Sequence, residues 1–198
     1  MKSVESPNGL PIASDQSPAL VASLNFTKKC LTSTLDAIVI THDPEVVSGL
    51  KRLMKADREG MPLAETISAR LILGPERARA RFTALIEGAE RRIRLIDAKL
   101  SDPDLVALLK AKRAAGVTVE IFKAKQLGDL KSHGKILLVD DRIAVVGSVA
   151  LAALSLDFRR EVAIIVQDPA AVADVARLFD TIARTSPGGL VAGVESKA

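Results

Sequence analysis

Short apolar runs alternate with longer amphipathic stretches through most of the chain. The first 20 residues, rich in Ser, Pro, Asn and Asp, predict irregular structure. Ala-Ile-Val-Ile-Thr at 37–41 predicts a strand, and Asp43-Pro44 then opens a helix to about Asp57, because Pro fits a first helical turn whose N–H has no partner. Gly60 and Pro62 mark a linker. A second series begins at Ala69. It predicts a strand over Arg70–Leu73, then a helix from Gly74-Pro75 with Phe82, Leu85 and Ile86 at core spacing. Arg92–Ile96 alternates charged and apolar residues at first, as a half-buried strand does. Asp102-Pro103 opens a helix that turns Leu105, Leu108 and Leu109 inward and ends at Gly116. Strands are predicted over Val117–Phe122, Lys135–Val139, Ile143–Val146 and Glu161–Val166. A polar loop fills Lys123–Ser132, a turn lies at Asp140-Asp141, and Asp168-Pro169 starts a last helix to about Arg184. Helices alternating with strands in this way indicate an α/β sandwich.

Composition narrows the picture. The chain has 198 residues, 48% of them hydrophobic, enough to bury a sizeable core. Only 3% are aromatic, with neither Trp nor Tyr, so the core is aliphatic and there are few platforms for stacking nucleic-acid bases. The net charge of +4 suits an anionic partner and equally suits solvated helix faces. The single Cys30 excludes an intrachain disulfide. No apolar run approaches the roughly 20 residues that span a bilayer, and Met1–Ser17 lacks an apolar signal core. A cytoplasmic location is the expectation, with membrane-surface contact allowed.

The chemistry concentrates in His133-Gly-Lys135-Ile-Leu-Leu-Val-Asp140, followed by Gly147-Ser148 and Glu161. On a strand, His133 and Lys135 project from one face, so both heads reach one phosphate. A neutral imidazole can attack phosphorus while an ammonium holds the charge growing on the oxygens. Ser148 adds a hydroxyl donor. A carboxylate on the far ring nitrogen would fix the tautomer, and Glu161 is the candidate.

His133, Lys135 and Asp140 fit a His-x-Lys-x4-Asp signature, and with Gly147-Ser148 and Arg160-Glu161 in order this segment resembles the phospholipase D superfamily from Leu71 to about Ala183. The resemblance implies an α-β-α sandwich with a mixed sheet. It implies a phosphohistidine on His133, phosphate binding by Lys135, Gly147 and Ser148, orientation of His133 by Glu161, a largely structural Asp140, and no metal or other cofactor. One departure stands out. The family usually continues Gly-Ser-x-Asn, and position 150 is Ala.

A second, worn copy lies 125 residues upstream. Asp140 falls on Asp15, Gly147-Ser148 on Ala22-Ser23, Ala150 on Asn25, Glu161 on Asp36 and Asp168-Pro169 on Asp43-Pro44. His133 falls on Asn8 and Lys135 on Leu10, so the nucleophile and the phosphate lysine have no counterpart. The chain thus resembles the C-terminal part of a two-motif protein of the phospholipase D or cardiolipin synthase type. The expected organisation is a remnant of a first half-domain over 1–58 with a degenerate motif (Asp15, Asn25, Asp36), a linker over 59–68, a complete domain over 69–185 and a flexible tail over 186–198. Asn25 and Asp36 are expected to be structural relics, and His42, which matches no motif, a surface residue.

Family members use two histidines, so a complete site implies a homodimer or a missing N-terminal partner segment. The substrate implied is a phosphodiester, a phospholipid before a nucleic acid, with peripheral membrane contact. The alternatives are a dimeric nuclease or an inactive binding module. Lys123, Lys125 and Lys131 either steer an anionic substrate or form an ordinary charged loop. Arg159-Arg160 either bind a phosphate or pair with local carboxylates.

Overall fold

A computed structural model describes residues 18–63, 67–122, 126–127 and 130–185. Asn8, Leu10, Asp15, Lys123, Lys125 and the 186–198 tail lie outside them. The elements in order are β1 (Ala19–Ala22), α1 (Lys28–Ser33), β2 (Thr34–Leu35), β3 (Ile38–Thr41), α2 (Pro44–Glu59), β4 (Leu71–Gly74), α3 (Ala78–Glu87), β5 (Arg92–Asp97), α4 (Pro103–Ala114) and β6 (Thr118–Phe122). They continue with β7 (Gln126–Leu127), β8 (Leu130–Ser132), β9 (Lys135–Val139), β10 (Ile143–Gly147), α5 (Ala153–Asp157), β11 (Glu161–Val166) and α6 (Pro169–Thr185). The three Asp-Pro pairs act as read. The carboxylates of Asp43, Asp102 and Asp168 accept from the first-turn amides of Glu45, Leu105 and Ala171. Gly60 ends α2 in the left-handed region at φ 63°.

Six strands form a mixed sheet in the order β4-β11-β10-β9-β5-β6, in which only β5 and β6 run parallel. Both faces are covered. Phe82 and Ile86 of α3 with Leu105 and Leu109 of α4 pack on Leu95, Leu137 and Val145. Val46, Leu50 and Leu53 of α2, with Val172, Phe179 and Ile182 of α6, pack on Ile136, Leu138, Val146 and Ile164. Burial on both sides explains why these strands read as continuous aliphatic runs. The α/β sandwich with a mixed sheet is the fold observed. No helix among the described residues is long and apolar enough to cross a membrane.

Four expectations change. The initial irregular stretch already contains the start of β1, and the polar loop contains β7 and β8. Two short helices, α1 and α5, were not foreseen, being too short for apolar periodicity to register. Strand β5 is not half-exposed. Arg94 is buried at 3% exposure, donates to Asp141 and Asp180, and stacks 5.3 Å from the Phe179 ring centroid. Its charge points into the protein because partners wait there.

The upstream copy recurs in three dimensions. Shifting the β10–β11 pair Ala144↔Val166 back by 125 gives Ala19↔Thr41, which is the register found for β1 and β3. Ser148 Oγ accepts from the Val162 amide at 3.1 Å, and Ser23 Oγ accepts from the Ala37 amide at 3.0 Å, the same bond at the same offset. Helices α5 and α6 find their counterparts in α1 and α2.

Candidate active site

Strand β9 begins at Lys135, and His133 precedes it in a segment pinned by its own amide and that of Gly134 to the Leu35 carbonyl, at 3.3 and 3.0 Å. His133 is thereby set beside Asp36. Its Nδ1 lies 3.2 Å from Asp36 Oδ1. Asp36 also accepts from Ser23 Oγ at 2.7 Å and Thr34 Oγ1 at 2.6 Å. Burial works to raise the Asp36 carboxyl, but hydrogen bonds from His133, Thr34 and Ser23 outweigh it and hold it below the ordinary value of 3.8. An ionised Asp36 only accepts, so in the neutral ring the contact places the His133 proton on Nδ1 and leaves the Nε2 lone pair free.

Asp36 therefore takes the position expected of Glu161. Glu161 does not bond His133. Its Oε1 accepts from Ser155 Oγ at 3.3 Å, and Oε2 is buried without a partner among the described residues. Burial pushes the Glu161 carboxyl up, against the pull of Ser155, the Ala150 amide, Lys135 and Arg159.

The ring faces a cleft of about 510 Å³ lined by Asn25, Lys99, His133, Lys135, Ser148, Arg159, Arg160 and Glu161. Lys135 is half-buried and donates from Nζ to the carbonyls of Ser23 and His133, at 3.3 and 3.2 Å. Burial lowers its pKa, offset in part by Asp36 and Asp97. Arg160 is engaged with Asp57 and Glu76, as the carboxylate-pairing reading expects. Lys99 and Arg159 are exposed with no ion pair among the described residues, leaving two cations for an anionic ligand. Lys99 carried no sequence signal.

Three further residues are each engaged by the fold. Asp140 follows the far end of β9, about 23 Å along the chain from His133 at ~3.3 Å per residue. Its carboxylate accepts from the amides of Glu90, Arg91 and Arg92, which ties it to the start of β5 and not to the cleft. Gly147 is fixed by packing. A Cβ there would lie 2.3 Å from Ala163 Cα, so glycine is required by the approach of β11. Ser148 lines the cleft, yet its hydroxyl is held between the Val162 amide and carbonyl. Conversely, Asn25 and Asp36 are no relics. Both stand at the site, and Asn25 supplies an amide to the cleft that Ala150, buried and apolar, does not.

Residues 120–183, which hold His133, Lys135 and Glu161, match the family model described as cardiolipin synthase, PLD-like domain. Nuc from Salmonella typhimurium, a phospholipase D family member, superposes with a TM-score of 0.50 over 59% of this chain and 94% of its own, at 18% identity. The matched segment, 120–183, is a PLD-like domain by this comparison, and the solved structures share its fold. Phosphatidylserine synthase from Haemophilus influenzae Rd KW20 superposes over 87% of this chain, with a TM-score of 0.59 and 12% identity. Polyphosphate kinase from Porphyromonas gingivalis superposes over 90% of the chain, with a TM-score of 0.73 and 18% identity. The chain spans 60% of that synthase and 31% of that kinase. No curated protein matches it.

Proposed function

We propose that this chain is a phosphodiesterase or phosphatidyltransferase of the phospholipase D type that acts on a phospholipid through a phosphohistidine on His133. The contact that carries the reading is His133 Nδ1 on Asp36, which aims Nε2 into a basic cleft. In this reading Nε2 attacks phosphorus, and the leaving oxygen departs with a proton. Lys135 neutralises the nonbridging oxygens, and Asp36 stabilises the imidazolium-like ring. Water or an alcohol then attacks the phosphohistidine and frees His133. Residues 18–59 are the remnant of a first half-domain, kept because they supply Asp36 and Asn25 within the same chain, which favours a one-chain site over a homodimer. The cardiolipin synthase-type match over 120–183, which holds His133 and Lys135, and the scarcity of aromatic residues support a lipid over a polynucleotide.

The test is turnover of bis-p-nitrophenyl phosphate with chelator present. Turnover is expected, with a ³²P-type label trapped on the protein from a labelled diester, and both lost in His133→Ala. Phosphatidylglycerol micelles, single-stranded DNA and polyphosphate, offered in parallel, then assign the substrate. Cleavage of DNA with a steep salt dependence and no lipid turnover would replace the lipid reading with a nuclease.

A further inference from the structure

The repeat leaves one group without its counterpart. In the pair related by 125 residues, Asp36 holds the ring of His133, and its equivalent Glu161 would hold a ring from position 8, where the residue is Asn8. His42, the other of the two histidines, is exposed beyond the far end of β3, about 20 Å along the chain from Asp36 at ~3.3 Å per residue. The cleft thus has a nucleophile and no second imidazole from this chain to protonate the leaving oxygen. Glu161 lines that cleft with His133 and Lys135, anchored on one oxygen by Ser155 and with the other, Oε2, buried and without a partner among the described residues.

We propose that Glu161 is itself the proton donor to the leaving group, in the place a second imidazole would take. This rests on His133 being the nucleophile. An ionised carboxylate oxygen buried without a donor is costly, whereas a protonated one carries the hydrogen the reaction needs. The groups around it are Ser155 from α5, the Ala150 amide after β10, Lys135 from β9, Arg159 before β11 and Lys99 after β5. Burial outweighs the two cations that act on it, Lys135 and Arg159, and keeps the proton on Glu161 above the ordinary glutamate range. Lys135 is the other acid within reach, but its ammonium is committed to two carbonyls and to the phosphate charge.

The step balances. His133 Nε2 forms the P–N bond, the P–O bond to the leaving group breaks, and the Glu161 proton goes to that oxygen, leaving a carboxylate. In the second half the Glu161 carboxylate takes the proton of the attacking water or alcohol as the P–N bond breaks.

Two diesters separate this role from a structural one. Nitrophenolate leaves without help, and the more basic phenolate needs a proton. Glu161→Gln is expected to lose at least about 100-fold in kcat on methyl phenyl phosphate, but about tenfold or less on methyl p-nitrophenyl phosphate, a general acid contributing ~10²–10⁴-fold. Glu161→Asp should recover part of the phenyl ester rate. The fall of wild-type kcat toward high pH should vanish in Glu161→Gln. Equal losses on both esters, or none, would overturn the proposal. So would a rate rising faster than the protein concentration, which assigns the proton to another copy's imidazole. Failure of wild type on both esters would instead sink the nucleophile reading beneath it.

Discussion

Asp36 and Glu161 are equivalent by position and opposite in environment. Asp36 is ringed by donors, so its pKa falls, while Glu161 has one hydroxyl and one backbone amide, so burial wins and its pKa rises. Asp36→Asn is expected to lower kcat by roughly 10²-fold or more, because the amide neither enforces the Nδ1–H tautomer nor balances the cationic ring. Steady-state kinetics on bis-p-nitrophenyl phosphate will show it. For Glu161 the consequence is also thermodynamic. Its folded pKa lies above the unfolded value near 4.5, so its favourable contribution is present below that pH and is lost as pH rises through the folded pKa. The melting temperature of Glu161→Gln minus that of wild type should therefore increase from pH 4 to pH 8. A flat difference would contradict the assigned direction.

At the scale of elements, the β9–β10 hairpin matters most, since it carries the approach to His133 at one end and the Asp140 turn at the other. Asp140 and Asp141 both adopt positive φ, 53° and 54°, with the Arg142 amide closing on the Val139 carbonyl at 3.0 Å. This turn matches the right-handed twist of the flanking strands. The Asp140 carboxylate then staples the turn to the start of β5 through three amides. Asp140→Ala removes the acceptor of all three and should cost roughly 2–4 kcal/mol. Urea denaturation would measure that loss, while kcat of the folded fraction should stay within a few-fold of wild type. A motif residue can thus owe its place to architecture alone.

At the scale of the whole molecule, the described residues 18–59 have no core of their own. Their buried side chains, Val46, Leu50 and Leu53 among them, share one cluster with β9, β10, β11 and α6. Leu50→Ala, at a site with 0% exposure, should cost about 2–5 kcal/mol. It should lower the melting temperature of the whole chain in one transition, and loss of activity on heating should track that transition. Two separate transitions by calorimetry would mean that the N-terminal segment is an independent body, and that Asp36 is less firmly tied to His133 than its hydrogen bonds indicate.

The linear order of residues was enough for the strands that bear His133, Lys135 and Glu161, for the Asp-Pro helix starts, for the 125-residue offset and for the PLD-like domain matched over 120–183. Each of these depends on local periodicity, capping chemistry or spacing, all of which are written along one chain. Which carboxylate meets His133 was decided only in three dimensions. Asp36 lies 97 residues from His133 in sequence, and the pairing of the two halves crosses them, so that the acid of one copy serves the ring of the other. That pairing also brought Asn25 to the cleft, while packing within the second half set Lys99 in the cleft with Lys135 and the buried Arg94 between two aspartates. Spacing along the chain carries no signal for such contacts, because they arise from how the packed surfaces of distant elements meet.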